Sequence, residues 1–191
     1  LKVMSKKSEI NFKKDEHPRE GINLDALSRL KPVFKKDGTV TAGNASGIND
    51  GAAAIVLGTS KGVSDRNLKP VAKILGYTQT GVRPEVMGLG PVPAVDKLCK
   101  NLKLRISDFD VIESNEAFAA QSLAVIGELG IDIKKLNLDG GAIALGHPIG
   151  ASGARILVTL IHEMIRQNKN KGCAALCIGG GMGIALCVEK I

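Results

Sequence analysis

From Pro70 onward the chain alternates between short apolar runs of strand length and longer amphipathic runs of helix length. Strands that alternate with helices in this way form a mixed, largely buried sheet covered by helices. The last two strands are joined only by a short glycine run, so they are expected to pair antiparallel. The sequence therefore predicts an α/β fold with a five-stranded sheet, built from strands at 71–80, 108–113, near Leu138, 173–178 and 183–189 and helices at 94–102, 116–129 and 154–167.

The segment before Pro70 is less regular. Residues 1–20 are polar and weakly patterned, which predicts irregular structure. Leucines at one-turn spacing from Leu24 to Leu30 predict one short helix that ends before Pro32. The small and apolar run 52–57 is bounded by glycines and predicts a buried strand.

Composition narrows the functional classes. The net charge is +7 over 191 residues, yet the lysines are scattered and only one Tyr and four Phe are present. This pattern fits a solvated basic surface or attraction of a phosphate-bearing small molecule, and it argues against a nucleic-acid module. No apolar run is long enough to span a bilayer. We therefore expect a protein that binds neither nucleic acid nor membrane.

The four cysteines lie in apolar or helical segments without paired CxxC spacing. We therefore predict reduced thiols in a cytoplasmic compartment, no disulfide framework and no metal site. The chain opens at Leu1 in a charged segment, which suggests a piece of a longer protein.

The first polar segment follows the strand predicted at 108–113 and begins with Asn115 and Glu116. Asn115 suits the N-cap of the next helix, and Glu116 suits the positive end of its dipole. Alternatively, the Asn115 amide orients a water or a carbonyl at the strand end.

The second segment is the glycine-rich stretch 140–153, which places His147 on a tight turn before a long helix. Pro148 restricts the backbone after the histidine, and the glycines allow close backbone approach. A lone histidine is often structural. At the N-terminus of a helix, however, its imidazole tends to stay neutral and can act as a base.

The third segment, 177–183, places Cys177 at the end of an apolar strand and then Gly179 and two more glycines. Cys177 is either a small buried hydrophobic residue beside a hairpin or a thiol that exchanges a proton next to backbone N–H donors. A dinucleotide fingerprint is excluded, because a strand follows the glycines where that motif needs a helix.

Together these three segments strongly resemble the thiolase family, and so does the stretch 41–54 with its motif TAGNASG. The resemblance covers nearly the whole chain. It implies a layered α/β/α fold in which 1–47 is the end of a loop domain, 48–69 supplies a strand segment of the N-terminal domain, and 70–191 is the C-terminal domain.

The resemblance also implies roles for four residues. His147 resembles the base that activates a nucleophilic cysteine, and Asn115 the residue that holds a water in the first oxyanion hole. Cys177 matches the thiol that exchanges a proton with the acetyl-CoA methyl group. The Gly179 N–H resembles a donor of the second oxyanion hole.

Coenzyme A is implied as a substrate rather than a tightly bound cofactor. Ser46 matches a contact to the pantetheine arm, and Arg19 lies where a basic residue meets the nucleotide. Phe34, Ala117 and Phe118 match the lining of the channel.

The implied activity is acetyl exchange between CoA thioesters, which converts two acetyl-CoA to acetoacetyl-CoA and CoA and the reverse. The nucleophilic cysteine of the family has no counterpart in this chain, so an N-terminal half is the implied partner, in a dimer or tetramer. A longer-chain 3-ketoacyl-CoA thiolase and a non-catalytic CoA-binding scaffold remain the alternatives.

Overall fold

The computed structural model describes residues 2–4, 6 and 8–191. Leu1, Ser5 and Lys7 lie outside the described residues, so the predicted irregular structure over 1–20 is tested only on the others. There, strands β1 (Lys2–Met4) and β2 (Glu9–Asn11) pair antiparallel, and the prediction was wrong for them. Both strands are exposed throughout, so they lack the buried positions that give a strand a recognisable pattern.

The remaining elements are two short helices and then the alternating region. Their bounds are α1 (Leu24–Ser28), α2 (Ser60–Asp65), β3 (Ala72–Gly81), α3 (Pro91–Leu102), β4 (Val111–Ser114), α4 (Ala119–Leu129), α5 (Ala142–Leu145), α6 (Ser152–Arg166), β5 (Lys171–Ile178) and β6 (Met182–Lys190). Short 3₁₀ helices lie at Pro84–Leu89, Ile106–Asp108 and Ile133–Lys135. Helix α1 confirms the prediction made from the leucine spacing.

The alternating region forms a mixed sheet with strand order β3-β6-β5-β4. β4 and β5 run parallel, while β6 pairs antiparallel with both β5 and β3. Parallel strands need a long crossover connection, and the one between β4 and β5 contains helices α4, α5 and α6. The predicted antiparallel pairing of the last two strands is confirmed.

Side chains of β5 alternate between two buried clusters, one on each face of the sheet. Cys173 and Ala175 join α3 residues such as Leu98 in the first cluster. Ala174 joins α6 residues such as Leu160 in the second cluster. The sheet is therefore covered by helices on both faces, which confirms the α/β/α layering.

The sheet has four strands, one fewer than predicted, because the chain near Leu138 turns away after a single bridge. Leu136 bridges Ile112 of β4. Asn137 then adopts φ 47°, a left-handed conformation that Asn tolerates. Its side chain takes over the pairing, since Oδ1 accepts from the Ser114 N–H at 2.9 Å and Nδ2 donates to the Ser114 carbonyl at 2.8 Å.

The apolar run 52–57 was predicted as a buried strand, and this prediction is wrong. The run forms no helix or strand, and Val56 and Leu57 are 95% and 72% exposed. A strand requires a hydrogen-bonding neighbour, and none of the described residues supplies one here. Only Ile55 of this run packs against the core cluster under α6.

Helix α4 begins at Ala119 rather than at residue 116, because the preceding backbone pairs with residues 44–46. Ala45 bridges Phe118, and the Ala119 N–H donates to the Asn44 carbonyl at 2.9 Å. The helix ends at Gly130 with φ 64°, as the glycine stop predicts. Among the described residues, no helix has the length and apolar character needed to cross a membrane.

Candidate active site

The candidate site lies at the carboxyl ends of the parallel strands β4 and β5, the edge where α/β folds assemble sites. Asn115 follows β4, and its N–H donates to the Ala175 carbonyl of β5 at 3.0 Å. Cys177 lies two residues beyond Ala175, near the end of the same strand. The parallel register therefore brings two of the predicted site residues to one edge.

Asn115 is not the N-cap of α4, so the capping interpretation was wrong. Phe118 occupies that position, without a side-chain cap. Asn115 is 1% exposed, and its Nδ2 lies 3.4 Å from Nε2 of His147. Its Oδ1 accepts no hydrogen bond from the residues that the structure describes. A buried amide with an acceptor to spare suits the second interpretation, the placement of a water or a substrate group.

Glu116 also lies outside the helix, so its predicted role at the helix dipole was wrong. Its Oε2 accepts the Ile143 N–H at 3.2 Å, and its Oε1 accepts from Nδ2 of Asn137 at 3.4 Å. A β-carbon on Gly141 would overlap the Glu116 carboxyl group. Glu116 therefore connects the end of β4 to α5. The residues between α5 and α6, 146–151, contain His147 and are called the histidine turn here.

His147 lies between α5 and α6 and is held at both its backbone and its ring. Its N–H donates to Oδ1 of Asn49 at 3.0 Å, and its ring Nδ1 lies 2.6 Å from Oγ of Ser152. The Ser152 hydroxyl has one proton, which it donates to the Pro148 carbonyl at 3.0 Å. With the hydroxyl proton on Pro148, Ser152 accepts from His147, and this arrangement places the ring proton on Nδ1.

With its proton on Nδ1, the His147 ring has an unprotonated Nε2 that faces the Asn115 amide. Burial, and then the positive charge of Arg155, lower the pKa of His147. Both effects keep the imidazole neutral and able to accept a proton at Nε2. The geometry thus supports the base interpretation of His147 over a purely structural role.

Arg155 is paired with a buried carboxyl group. Its Nη1 lies 3.6 Å from Oε2 of Glu113, which is 1% exposed. Burial raises the pKa of Glu113 to about 7, and the attraction of Arg155 only partly opposes this shift. Because Glu113 is only partly ionised at neutral pH, it neutralises the charge of Arg155 only in part. The remaining positive charge disfavours a second cation on His147.

The Cys177 thiol is half-buried, and burial raises its pKa, although a hydrogen bond to its own backbone opposes the shift. Such a thiol keeps its proton at neutral pH and can return it to a carbanion. The buried Cys173 and Cys187, by contrast, face each other across β5 and β6 inside the core. Of these three residues, only Cys177 lies at the candidate site.

Gly179 begins the turn between β5 and β6, where Gly180 and Gly181 adopt φ 89° and 93°. A β-carbon on Gly181 would overlap the Val82 carbonyl, so this part of the turn is closely packed. A β-carbon on Gly179 would meet nothing within 4 Å. The face of the turn at Gly179 is therefore open to a ligand.

Four of the five predicted CoA-contact residues cluster beside Asn115. Ser46 donates from its N–H and its Oγ to the Ala117 carbonyl, at 3.1 and 3.0 Å. The rings of Phe34 and Phe118 meet edge to face with centroids 5.9 Å apart. Arg19 is exposed, and in the described part of the chain no hydrogen bond or ion pair joins it to the other four.

Sequence reasoning missed three residues of the site: Ser152, Asn49 and His17. Ser152 lies five residues after His147, a spacing that a turn entering a helix brings within hydrogen-bonding reach. Asn49 lies 98 residues from His147, and His17 lies 126 residues from Ile143, so spacing along the chain could not predict these contacts. Within residues 2–4, 6 and 8–191, no three His, Cys, Asp or Glu side chains are grouped to hold a metal ion.

Comparison with known families agrees with this architecture. The model of the thiolase C-terminal domain matches residues 68–190, and that of the thiolase N-terminal domain matches residues 1–61. The chain belongs to the thiolase family.

Comparison with individual relatives shows how much of their length this chain spans. An acetyl-CoA acetyltransferase of Chromobacterium violaceum is 57% identical over 179 residues, covering 94% of this chain and 46% of the relative. The crystal structure of the Bacillus anthracis acetyl-CoA acetyltransferase has 49% identity and a TM-score of 0.95, over 100% of this chain and 48% of that one. Human mitochondrial 3-ketoacyl-CoA thiolase, solved in complex with CoA, has 47% identity and a TM-score of 0.88, over 94% and 46%. The chain thus spans about half the length of the relatives that it matches.

Proposed function

We propose that this chain is the C-terminal half of a thiolase that condenses two acetyl-CoA into acetoacetyl-CoA and CoA and catalyses the reverse reaction. The hydrogen bonds of His147 carry the proposal: Ser152, with its own proton on Pro148, holds the His147 proton on Nδ1, which leaves Nε2 unprotonated beside Asn115. A scaffold that only bound CoA would need neither a fixed tautomer nor a depressed histidine pKa.

In the first half-reaction, His147 Nε2 takes the thiol proton of a cysteine supplied by the N-terminal half. The resulting thiolate attacks the thioester carbonyl, so that the acetyl group moves to its sulfur and CoA leaves as a thiolate. The CoA thiolate then takes the proton of the Cys177 thiol. The oxygen that gains charge is stabilised by the protonated imidazole and by a water held on Asn115. The buried, unpaired Oδ1 of Asn115 supports this water site.

In the second half-reaction, the Cys177 thiolate removes a methyl proton from acetyl-CoA. The carbanion attacks the acetylated cysteine, whose sulfur leaves and takes back the proton held by His147. In the cleavage direction the Cys177 thiol returns that proton. The Gly179 N–H stabilises the oxyanion that forms in this step. Support comes from the thiol's position at the end of β5 and from the open face of the following turn.

Coenzyme A is proposed to enter along Phe34, Ala117 and Phe118, with Ser46 at the pantetheine arm and Arg19 at the nucleotide. The cluster formed by the first four residues supports one binding surface. The solved human relative is described as a complex with CoA, and 94% of this chain superposes on it.

An N-terminal half is the proposed partner that supplies the nucleophile, and the complete enzyme is proposed to be a dimer or tetramer. Ile48, which bridges His147, and Ile149 are 92% and 68% exposed, and Val56 in the run 52–57 is 95% exposed. Exposed apolar residues in such number favour contact with another protein surface. The proposal divides the chain into domains at 1–47, 48–69 and 70–191. It also includes a cytoplasmic location, which is in keeping with the four free cysteines.

Activity of the assembled enzyme tests the proposal. Co-expression with a thiolase N-terminal half is expected to give CoA-dependent cleavage of acetoacetyl-CoA, and His147→Ala should abolish it. His162→Ala is the matched control, since His162 is exposed on α6. An assembled complex that binds CoA but never turns over would favour the scaffold.

The acyl length is a separate question, because the neighbours include both an acetyl-CoA acetyltransferase and a 3-ketoacyl-CoA thiolase. Comparing kcat/KM for acetoacetyl-CoA with that for longer 3-ketoacyl-CoA thioesters decides it. A preference for the longer substrates would replace the short-chain assignment while leaving the roles of His147 and Cys177 in place.

A further inference from the structure

His17 contacts α5, the helix that precedes His147, although it lies far from it in sequence. Its Nε2 is 3.0 Å from the carbonyl oxygen of Ile143, and its Nδ1 is 3.1 Å from Nδ2 of Asn49. Asn49 in turn accepts the His147 N–H at 3.0 Å. The chain of contacts therefore runs from His17 through Asn49 to the backbone of the proposed base.

Only one arrangement of protons satisfies all three hydrogen bonds. A carbonyl can only accept, so His17 must carry its proton on Nε2 and donate it to Ile143. The unprotonated Nδ1 of His17 then accepts from the Asn49 amide nitrogen. This fixes the Asn49 amide with Oδ1 toward the His147 N–H, so the ring of His17 determines which way the amide faces.

Packing holds this arrangement in place. Gly146 has φ 103°, and a β-carbon there would lie 2.7 Å from Cγ of Asn49. A β-carbon on Gly47 would lie 2.6 Å from Cε1 of His17. Two glycines thus allow the imidazole and the amide to sit against the backbone on either side, which leaves little room for another rotamer.

We propose that His17 is a positioning residue for the base: through Asn49 it fixes the backbone of His147, and with it the distance from Nε2 to the reacting groups. The inference rests on the proposed function, since it assigns a role within that site. His17 does not touch the substrate. Its hydrogen bonds keep the segment around residue 17 and the turn that carries His147 in one arrangement.

Nitrogen-15 NMR of the 191-residue chain tests the inference without requiring activity. The chain has three histidines, so His17→Asn and His162→Ala spectra assign the imidazole signals. We expect a single Nε2–H tautomer for His17 and a single Nδ1–H tautomer for His147. In His17→Ala, the His147 signals should shift or broaden, whereas in His162→Ala they should not. A His17 ring that averages between tautomers, or unchanged His147 signals in His17→Ala, would overturn the proposal.

Kinetics of the assembled enzyme give a second readout. Small misplacements of catalytic groups cost on the order of 10- to 100-fold in rate, so His17→Ala should lower kcat by about this factor and leave KM nearly unchanged. His17→Asn keeps an acceptor for Asn49 and should retain most of kcat. Equal kcat in wild type and His17→Ala contradicts the inference. If the wild type itself never turns over, the proposed function fails, and the NMR result still decides the role of His17.

Discussion

Replacing Ser152 by Ala removes the hydroxyl group that fixes the His147 tautomer. Ser152 is fully buried, and its Oγ both accepts from Nδ1 at 2.6 Å and donates to the Pro148 carbonyl at 3.0 Å. Alanine leaves the Nδ1–H of His147 without its hydrogen bond, whereas the Pro148 carbonyl still accepts from the Ala151 N–H at 2.8 Å. The imidazole is then free to carry its proton on Nε2, where it no longer acts as a base.

The magnitude follows from the energy of one neutral hydrogen bond, about 0.5–1.5 kcal/mol net. Expressed as a rate, this range predicts a loss of kcat of about 2- to 13-fold in the assembled enzyme, with KM nearly unchanged. The buried Nδ1–H that is left unpaired should also lower the free energy of unfolding by about 1–3 kcal/mol.

Thr159→Ala is the matched control, because it removes a hydroxyl on the same helix that donates only to the Arg155 carbonyl, at 3.1 Å. Nitrogen-15 NMR measures the tautomer and steady-state kinetics measure kcat. A Ser152→Ala variant with the His147 proton still wholly on Nδ1 and kcat equal to that of Thr159→Ala would refute the reasoning.

Two further predictions concern stability. The folded pKa of Glu113, about 7, lies above its ordinary value of 4.5, so the folded state binds this proton more tightly and loses stability as pH rises between these values. Between pH 4.5 and about pH 7, Glu113→Gln should reduce the fall in the free energy of unfolding that urea titration measures, whereas the exposed Glu128→Gln should not. The same pH dependence of unfolding free energy in both variants would contradict the raised pKa of Glu113. Gly141→Ala should destabilise by about 1–3 kcal/mol, because its β-carbon would overlap Glu116. Gly127→Ala, with open space within 4 Å, should instead stabilise by about 0.5–1 kcal/mol; equal thermal shifts in the two variants would argue against the overlap.

The alternating region of the fold could be predicted from sequence because its signals are local. Apolar periodicity determined α3, α6 and the strands β3, β5 and β6, and Gly130 marked the end of α4. These elements bury their patterned faces within the chain itself, so pattern and packing agree.

The errors arise where a distant segment overrides the local pattern. The start of α4 is displaced because residues 44–46 pair with the backbone at 117–119. Asn137 ends the predicted fifth strand, because its side-chain amide makes the two hydrogen bonds to Ser114 that a backbone peptide group would make in a strand. The run 52–57 has the composition of a strand but no neighbour among the described residues.

The candidate site shows the same division. His147, Asn115 and Cys177 could be identified because they follow strands or occupy glycine-rich turns, and the structure places them at one edge of the sheet. Their hydrogen-bonding partners could not, since Asn49 lies 98 residues from His147. Sequence thus indicated the groups that are proposed to react, whereas only the fold reveals the side chains that orient them.

Separation of the two half-reactions tests the proposed division of proton transfer between His147 and Cys177. In the assembled enzyme, Cys177→Ser should still form the acetylated intermediate from acetyl-CoA, because His147 is the base proposed for that step, and should lose condensation. Cys99→Ser is the control, since Cys99 lies on α3 beside the core. Rapid-quench measurement of acetyl-enzyme and of acetoacetyl-CoA in one experiment distinguishes the outcomes. Persistent acetylation without condensation is the expected result; equal loss of both steps in Cys177→Ser would contradict the division of proton transfer between His147 and Cys177.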